Sequence, residues 1–393
     1  MYIKKSRLVL GICIIVIITA IITVGALNPF GIANLGNFLK LSYASKLLNL
    51  FYYEDVDLEN ASEMAIAGMA ASTGDPYTGY MWGDNATEYF EDVMGNYCGV
   101  GLYIEWDTDE NLISVVSAIA GGPAEAAGIG TGDKILKLDG TAYSGEEMSE
   151  AASYMRGEEG TEVVLTIRSA IDGKERDVTL VRSAIEIESV SGKMLSDSIG
   201  YISMTQFTEN TGAKLATECA SLKKSGMKAL IIDLRNNPGG LLDEAIAAAS
   251  IFVPKGDIIT YTLDKFETKE EYLSEGVAKE EQLNIPIAVL INGGSASASE
   301  VLTGALRDYG LATVIGQKSY GKGVVQSVFG VGDGLMTVTT ARYYTPNGIC
   351  IHGDGIEPDI LVEMDPEKSA RVTSIEPSED EQLLAAVEHF NKK

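Results

Sequence analysis

The pattern of apolar and polar positions divides the chain into stretches of different character. Residues Leu8 to Leu27 carry no charge. As a helix, about twenty such residues span about 30 Å, which is the depth of a bilayer core. Lys4, Lys5 and Arg7 precede the run, and positive flanks stay cytoplasmic, so the bulk of the chain is expected outside the membrane. The run is longer than the signal-peptide core of about 7–15 residues, which favours an uncleaved anchor over secretion after cleavage near Ala26. A buried core helix is the third reading, ranked below both because the run is apolar on every face.

Beyond Pro29, apolar residues at Leu35, Phe38, Leu39, Leu47, Leu48 and Phe51 have helical spacing. A second helix is predicted from Leu58 to Ala71, ended by Gly74-Asp75-Pro76. From Cys98 the rhythm shortens to strands and Gly-rich turns. GVGLYIEW and NLISVVSAI read as strands, and a short helix, a Gly132-Asp133 turn and another strand follow. A helix near Glu146–Met155 and a hairpin of EVVLTIR and RDVTLVR close this module. From Ile199 the chain alternates strand and helix. GYISMTQF, ALIIDLR, IPIAVLI and LATVIG are strands, with helices from Thr211 to Lys224, from Leu242 to Phe252 and in SASASEVLTGALRD. Near-continuous apolar strands between helices predict parallel strands covered on both faces. GLMTVTTARYY is a further strand, and the polar tail has one helical stretch, Glu379 to His389.

Composition narrows the chemistry. The 393 residues carry a formal charge of −26, which does not favour a phosphate backbone, so nucleic acid is a poor partner. The four cysteines are far apart and form no CxxC pair, which supports neither a zinc knuckle nor a redox motif. Only two histidines exist, His352 and His389, so a His-rich metal site is excluded. A Ser-His-Asp triad would have to use one of them, and His389 lies in a charged tail.

Sites in α/β sheets form at the C-terminal ends of strands. Two such ends here are Gly-rich and run into helices: RNNPGG and NGGSASASE. A serine at a strand-to-helix turn projects from the backbone beside unpaired helix N–H groups, which can serve as an oxyanion hole. The same pattern also serves ordinary capping. Ser295, Ser297 and Ser299 are the candidates. With histidine scarce, a desolvated lysine is the alternative base. Lys322, in Ser319-Tyr320-Gly321-Lys322-Gly323, is the candidate, and a solvated turn lysine is the plainer reading. Gln326 shares its face on a strand, yet four strand residues span about 13 Å, so contact requires a bend.

Pro123-Ala124, Ala127-Gly128-Ile129 and Gly132-Asp133-Lys134-Ile135-Leu136 resemble the pattern of PDZ domains. Gly99-Val100-Gly101-Leu102 is similar to the loop with which that family binds a C-terminal carboxylate; its glycines let a backbone approach an anion closely. The peptide would add as a strand to the sheet edge. Together with Asp75-Pro76-Tyr77-Thr78, Asp233-Leu234-Arg235-Asn236-Asn237-Pro238-Gly239-Gly240, Ser295-Ala296-Ser297-Ala298-Ser299-Glu300 and Gly321-Lys322-Gly323 with Gln326, the chain resembles the carboxy-terminal processing peptidases over about residues 45 to 365. The resemblance implies that Ser297 is the nucleophile, Lys322 the general base and Gln326 its orienting partner. The amides of Ala298 and of Gly239 or Gly240 would form the oxyanion hole. Asp308, sometimes counted in this family's catalytic set, lies about 16 Å along a continuous helix from Ser297 and is read as structural support.

The expectation is therefore a crotonase-like α/β protease core with an inserted PDZ domain. The domains would be a cytoplasmic stub and anchor at 1–27, a helical region at 28–94, the PDZ domain at 95–183, the protease core at 184–365 and a polar tail at 366–393. Its partners would be protein or peptide substrates with a free C-terminus, and the membrane; the oligomeric state, homo-oligomer included, stays open. No metal or organic cofactor is expected. Two alternatives remain at this point: a non-catalytic PDZ adaptor, and a crotonase-like acyl-CoA enzyme.

Overall fold

Every residue of two five-residue segments, Ala229–Asp233 and Ile287–Ile291, is buried. Apolar side chains on both faces of a strand require a layer on each side, and that requirement organises the larger part of the molecule. The computed structural model describes residues 33–83, 85–86, 89, 96–119, 121–186, 189–276, 284–365, 368–369, 372 and 375–392. The apolar run Leu8–Leu27 lies outside the described residues. Among the described residues no helix is long and apolar enough to cross a membrane. The chain divides into two compact units, residues 1–80 and 81–393.

In the first unit, α1 (Ala33–Phe51) precedes α2 (Leu58–Ala71). Asp57 caps α2 by accepting from the N–H groups of Glu59 and Asn60 at 3.1 and 3.0 Å. The apolar spacing of α1 predicted a helix, and a helix forms. Its large side chains are nonetheless exposed, Phe38 at 66% and Phe51 at 77%, because apolar residues surround it and α2 can cover only one side. Asp75 folds its own motif into a turn, accepting from Tyr77 N–H at 3.0 Å and from the Thr78 hydroxyl at 2.7 Å.

The second unit begins with β1 (Asn96–Gly99). An antiparallel sheet follows, built from β2 (Leu102–Asp107), β3 (Leu112–Ala118), β4 (Lys134–Leu138), β5 (Thr141–Ala142), β6 (Glu162–Arg168) and β7 (Glu175–Val181). Its order is β2-β3-β4-β6-β7, with β5 on β4. Helices α3 (Pro123–Ala126) and α4 (Met148–Met155) cover it, and Ile113, Ile135, Leu165 and Ile167 fill the space between. Buried Asp133 fixes the Gly132-Asp133 turn by accepting from Ala170 and Gly130 N–H. On leaving the module, β8 (Ser183–Glu186) pairs with β1, so the chain enters and exits through one two-stranded ladder.

Strands β9 (Val190–Met194), β10 (Ile199–Met204), β11 (Ala229–Asp233), β14 (Ile287–Ile291), β15 (Ala312–Gly316) and β18 (Ile360–Leu361) form the main sheet in that order. All its pairings are parallel except β9 with β10. Leu230, Ile232 and Val289 face α5 (Thr211–Lys224), α6 (Leu242–Ser250) and α7 (Ala298–Asp308). Ile231, Ala288 and Leu290 face the opposite way, against Leu383 and Ala386 of α8 (Glu381–Asn391). The stretch read as a polar tail therefore supplies part of the second covering layer. Several strands were not anticipated; among them β12 (Ile258–Asp264) and β13 (Lys269–Leu273) form a hairpin whose alternating Thr, Tyr and Glu residues gave no apolar run. With β16 (Val324–Val331) and β17 (Gly334–Tyr344) they make a separate antiparallel sheet. GLMTVTTARYY thus belongs to a hairpin, as the Gly332-containing turn between β16 and β17 dictates.

Leu230 is fully buried between the sheet and its helices. Leu230→Ala should lower unfolding free energy by about 2–5 kcal/mol, read by urea denaturation; a loss under about 1 kcal/mol would contradict this packing.

Candidate active site

Three loops meet beyond the C-terminal ends of the parallel strands. The first leaves β11 as Leu234–Gly240. Gly239 and Gly240 have φ of 103° and 138°, where an L side chain is strained. Space forbids one as well. A Cβ on Gly239 would lie 2.7 Å from the Ala296 carbonyl oxygen and 2.8 Å from Ser297 Cβ; one on Gly240 would lie 2.2 Å from the Phe207 carbonyl oxygen. Buried Asn237 sets the loop's shape, donating Nδ2–H to Met204 O and accepting from Gly239 N–H, both at 2.9 Å.

The second loop runs from Asn292 into α7. Its three serines are distinguished by burial and by partners. Ser295 is fully buried and donates to Leu234 O at 2.7 Å, and Ser299 is fully buried and donates to Asn237 O at 3.0 Å. Both hydroxyls brace the first loop. Ser297 is only half-buried, with φ 54° and ψ −113° at the N-cap of α7. Such a conformation in a non-glycine residue stores strain and persists only where surrounding contacts impose it.

The third loop is Ser319–Gly323, which enters β16. Tyr320 N–H donates to Ser295 O at 3.0 Å. Gly323 lies against His352, where a Cβ would come within 2.2 Å of the His352 nitrogen, and Gly353 N–H donates to Gly321 O at 3.0 Å.

Glu300 ties the second loop to the third. Its carboxylate is buried in the first turn of α7. Oε2 accepts from the backbone N–H of Ser297 at 2.8 Å and of Lys322 at 2.9 Å. Oε1 accepts from Gly321 N–H at 2.7 Å and from the Ser319 hydroxyl at 2.5 Å. Sharing one oxygen holds the Ser297 and Lys322 backbone nitrogens within about 6 Å of each other. Burial pushes the Glu300 carboxyl above its ordinary value, while the four donated hydrogen bonds favour the ionised form. The role of Glu300 was missed in the sequence, although the spacing Ser297-x-x-Glu300 is that of a capping box.

The other expected residues fall as follows. A β-bulge sits between Val325 and Gln326, so the strand after Lys322 bends where contact with Gln326 would require it. Asp308 ends α7 and accepts from Asn347 N–H at 2.8 Å, holding the turn after β17. In the PDZ loop, Gly101 has φ 75° and a Cβ there would press on Ile185 at 3.2 Å. The Val100 and Gly101 carbonyls accept from Ala124 and Ile119 N–H, which fixes the loop against α3. Beside it, a cleft of about 840 Å³ separates the PDZ module from α5, lined by Tyr103, Gly122, Ile185, Ala213 and Thr217 among others. A larger cleft of about 1160 Å³, between α5, α6 and β13, includes none of these site residues.

Three family profiles match separate parts of the chain. The family profile "Peptidase family S41" matches residues 198–362, "PDZ domain" matches 114–169 and "Activating protease CtpB N-terminal domain" matches 29–87. A "Probable CtpA-like serine protease" of Staphylococcus aureus strain COL is 38% identical over 356 residues, covering 88% of this chain and 71% of the relative. Its counterpart in Staphylococcus haemolyticus is 37% identical over 369 residues, covering 91% and 73%. Among solved structures, the photosystem II D1 C-terminal processing protease matches with TM-score 0.50 and 27% identity, over 86% of this chain and 97% of that one. A Bacteroides fragilis protein described as an S41 protease shares the fold, with TM-score 0.55 and 15% identity over 89% of this chain and 97% of that one.

If Glu300 is the tie between the loops, Glu300→Gln should loosen both. An amide offers one acceptor oxygen and a donor that opposes two N–H groups. Amide hydrogen exchange at Ser297 and Lys322 should then speed up by at least about tenfold, the factor that 1.4 kcal/mol corresponds to, with the β11 amides unchanged. Unaltered exchange at both residues would show that other contacts hold the loops.

Proposed function

We propose how the site works, and where, in a chain that belongs to peptidase family S41 and is a CtpA-like C-terminal processing serine protease with a PDZ domain. Ser297 is the nucleophile and Lys322 the base. The observation that carries this reading is the Glu300 carboxylate, which binds the backbone of both residues through one oxygen. Membership of a peptidase family sets aside the adaptor and acyl-CoA readings.

Ser297 Oγ attacks the scissile carbonyl carbon as the neutral Lys322 amine takes its proton. The carbonyl oxygen becomes an oxyanion, received by Ala298 N–H and by the Gly239–Gly240 turn. Of the two glycine amides, that of Gly239 is donated to Asn237 Oδ1, and that of Gly240 has no acceptor among the described residues. The tetrahedral intermediate collapses, the C–N bond breaks, and the departing amine takes the proton from Lys322. Water then attacks the acyl-Ser297 carbonyl as Lys322 accepts its proton; the ester C–O bond breaks, the new carboxyl product departs and Lys322 returns the proton to Ser297 Oγ. Gln326 orients the amine from the bulge in β16. No metal or organic cofactor enters these steps.

The substrate is a polypeptide with a free C-terminus. Its carboxylate binds the Gly99–Leu102 backbone, and the adjoining cleft leads toward the protease core. The run Leu8–Leu27 anchors the enzyme in the cell membrane by a single span, with the catalytic part extracytoplasmic. Cleavage near Ala26 and secretion would be the other outcome of a topology test: an epitope after Lys393 should be degraded by protease added to intact cells and remain cell-associated beforehand.

Ser297→Ala should abolish peptide cleavage. Lys322→Ala should lose at least the roughly 10²–10⁴-fold that a positioned base contributes. Lys322→Arg should fail too, because a guanidinium does not deprotonate in proteins. His352→Ala should keep most of its activity, since the structure couples His352 to the base loop through backbone atoms. Peptidase assays with a C-terminally free peptide decide this. An active Lys322→Arg enzyme, or a folded but inactive His352→Ala enzyme, would overturn the mechanism. Amidating the peptide's C-terminus should slow cleavage several-fold; equal rates for acid and amide would remove the carboxylate role from Gly99–Leu102.

A further inference from the structure

Behind the first loop lies a buried charge cluster that the Ser-Lys mechanism does not use. Arg235 immediately precedes Asn236 and its side chain is fully buried. All five of its N–H donors have acceptors. Nε donates to Asp233 Oδ1 at 2.9 Å. Nη2 donates to Asp233 Oδ2 at 2.6 Å and to Asp380 Oδ2 at 2.7 Å. Nη1 donates to Asp380 Oδ1 at 2.8 Å and to Gln382 Oε1 at 3.2 Å. Asp380 stands 145 residues from Arg235 and is the N-cap of α8, accepting from Leu383 N–H at 2.9 Å. The side chains of Asp233 and Asp380 are 5% and 4% exposed.

Two carboxylates and one guanidinium leave the cluster with an excess negative charge in a buried place. Such an arrangement does not improve stability over apolar packing of similar volume. What it does provide is direction. A five-donor guanidinium held from both sides has one orientation, and so has the backbone that carries it. Arg235 N–H is itself bound to Asp233 Oδ1 at 3.0 Å. Four residues later the same backbone reaches Gly239, packed on Ser297 and Ala298.

We infer that Asp380, through Arg235, is a positioning residue for the oxyanion loop, so that the C-terminal helix α8 takes part in setting the catalytic geometry. This rests on the reading of the Gly239–Gly240 turn as part of the oxyanion hole. Asp380→Asn removes the charge and turns one acceptor into a donor facing Arg235. The loop root is then free to shift, and displacement near 1 Å at such a site costs about a hundredfold in rate. Because the oxyanion exists only in the transition state, kcat falls while substrate binding does not.

The test uses the full-length enzyme. Folding is checked by thermal unfolding, and kcat and KM are measured on a C-terminally free peptide. The affinity of a peptide aldehyde is measured as well, since its hemiacetal oxygen occupies the oxyanion position. Asp380→Asn should lower kcat by about ten- to a hundredfold, leave KM within about twofold and weaken the aldehyde in step with kcat. Arg235→Lys keeps the charge balance but cannot bridge both carboxylates, and should behave alike. A folded Asp380→Asn or Arg235→Lys enzyme with native kcat and native aldehyde affinity overturns the inference. So does failure of both variants to fold, which would assign the cluster to folding alone. Ser297→Ala serves as the separate control: residual cleavage there would remove the Ser-Lys mechanism, whatever Asp380 does.

Discussion

A single buried carboxylate, that of Glu300, holds together the loop that enters α7 and the loop that follows β15, with partners 19 to 22 residues along the chain. Its two oxygens accept from Ser297, Ser319, Gly321 and Lys322. Ser297 enters from β14 and Lys322 leads into β16, which lies in a different sheet. The paired strands β14 and β15 bring the two loops side by side, and Tyr320 N–H on Ser295 O joins them, but the shared Glu300 carboxylate is what binds the Ser297 and Lys322 backbones to one acceptor. The carboxylate is desolvated, and leaving it with fewer donors would be costly, so its demand for partners is what selects this arrangement of loops. Ser297 reaches Glu300 Oε2 from a backbone with φ 54°, whereas Ser144 makes the same contact to Glu147 from an extended one, so the strain at Ser297 comes from the meeting of the loops and not from the cap.

The remaining parts of the site are arranged around that tie. Ser295 and Ser299 fasten the Leu234–Gly240 loop to the start of α7, and Asn237 folds it. Glycines stand where backbones touch: Gly239 against Ser297, Gly240 against Phe207, Gly323 against His352. Any side chain at these points would push the loops apart. The PDZ module, meanwhile, is joined to the core through the β1–β8 ladder, and Ile185 of that ladder packs on Gly101 of the Gly99–Leu102 loop. A ligand on Gly99–Leu102 would therefore sit directly on the connection between the two modules.

Much of this was legible in the chain. Strands with apolar residues on both faces announced the parallel sheet, and Thr211–Lys224 and Leu58–Ala71 were readable as helices to the residue. The PDZ-like turn and the loops at Gly239, Ser297 and Lys322 stood out as glycine-rich turns, and only their combination, through the family resemblance, gave them roles. Other features left weaker traces. The hairpin of β12 and β13 is half-exposed, with Lys269, Glu270 and Glu271 on its edge strand, and so shows no apolar periodicity. The tail reads as polar because Asp380 and Gln382 are polar, yet both are buried against Arg235, a pairing across 145 and 147 residues that no local pattern reveals. Glu300 was in plain view within the serine motif, but its partners at 319–322 belong to another loop. The apolar spacing of α1 correctly indicated a helix, whose large side chains nonetheless stand exposed.

The claim that Glu300 sets the serine and the lysine in register can be tested at the serine itself. Covalent labelling by a fluorophosphonate, followed by intact mass, reports how well Ser297 is activated without depending on peptide recognition. In a folded Glu300→Gln enzyme that still binds a C-terminal peptide, labelling should slow by at least about tenfold, since a base displaced from its proton contributes little. Labelling at the native rate would mean that Ser297 and Lys322 keep their register without this carboxylate, and would contradict the role assigned to Glu300.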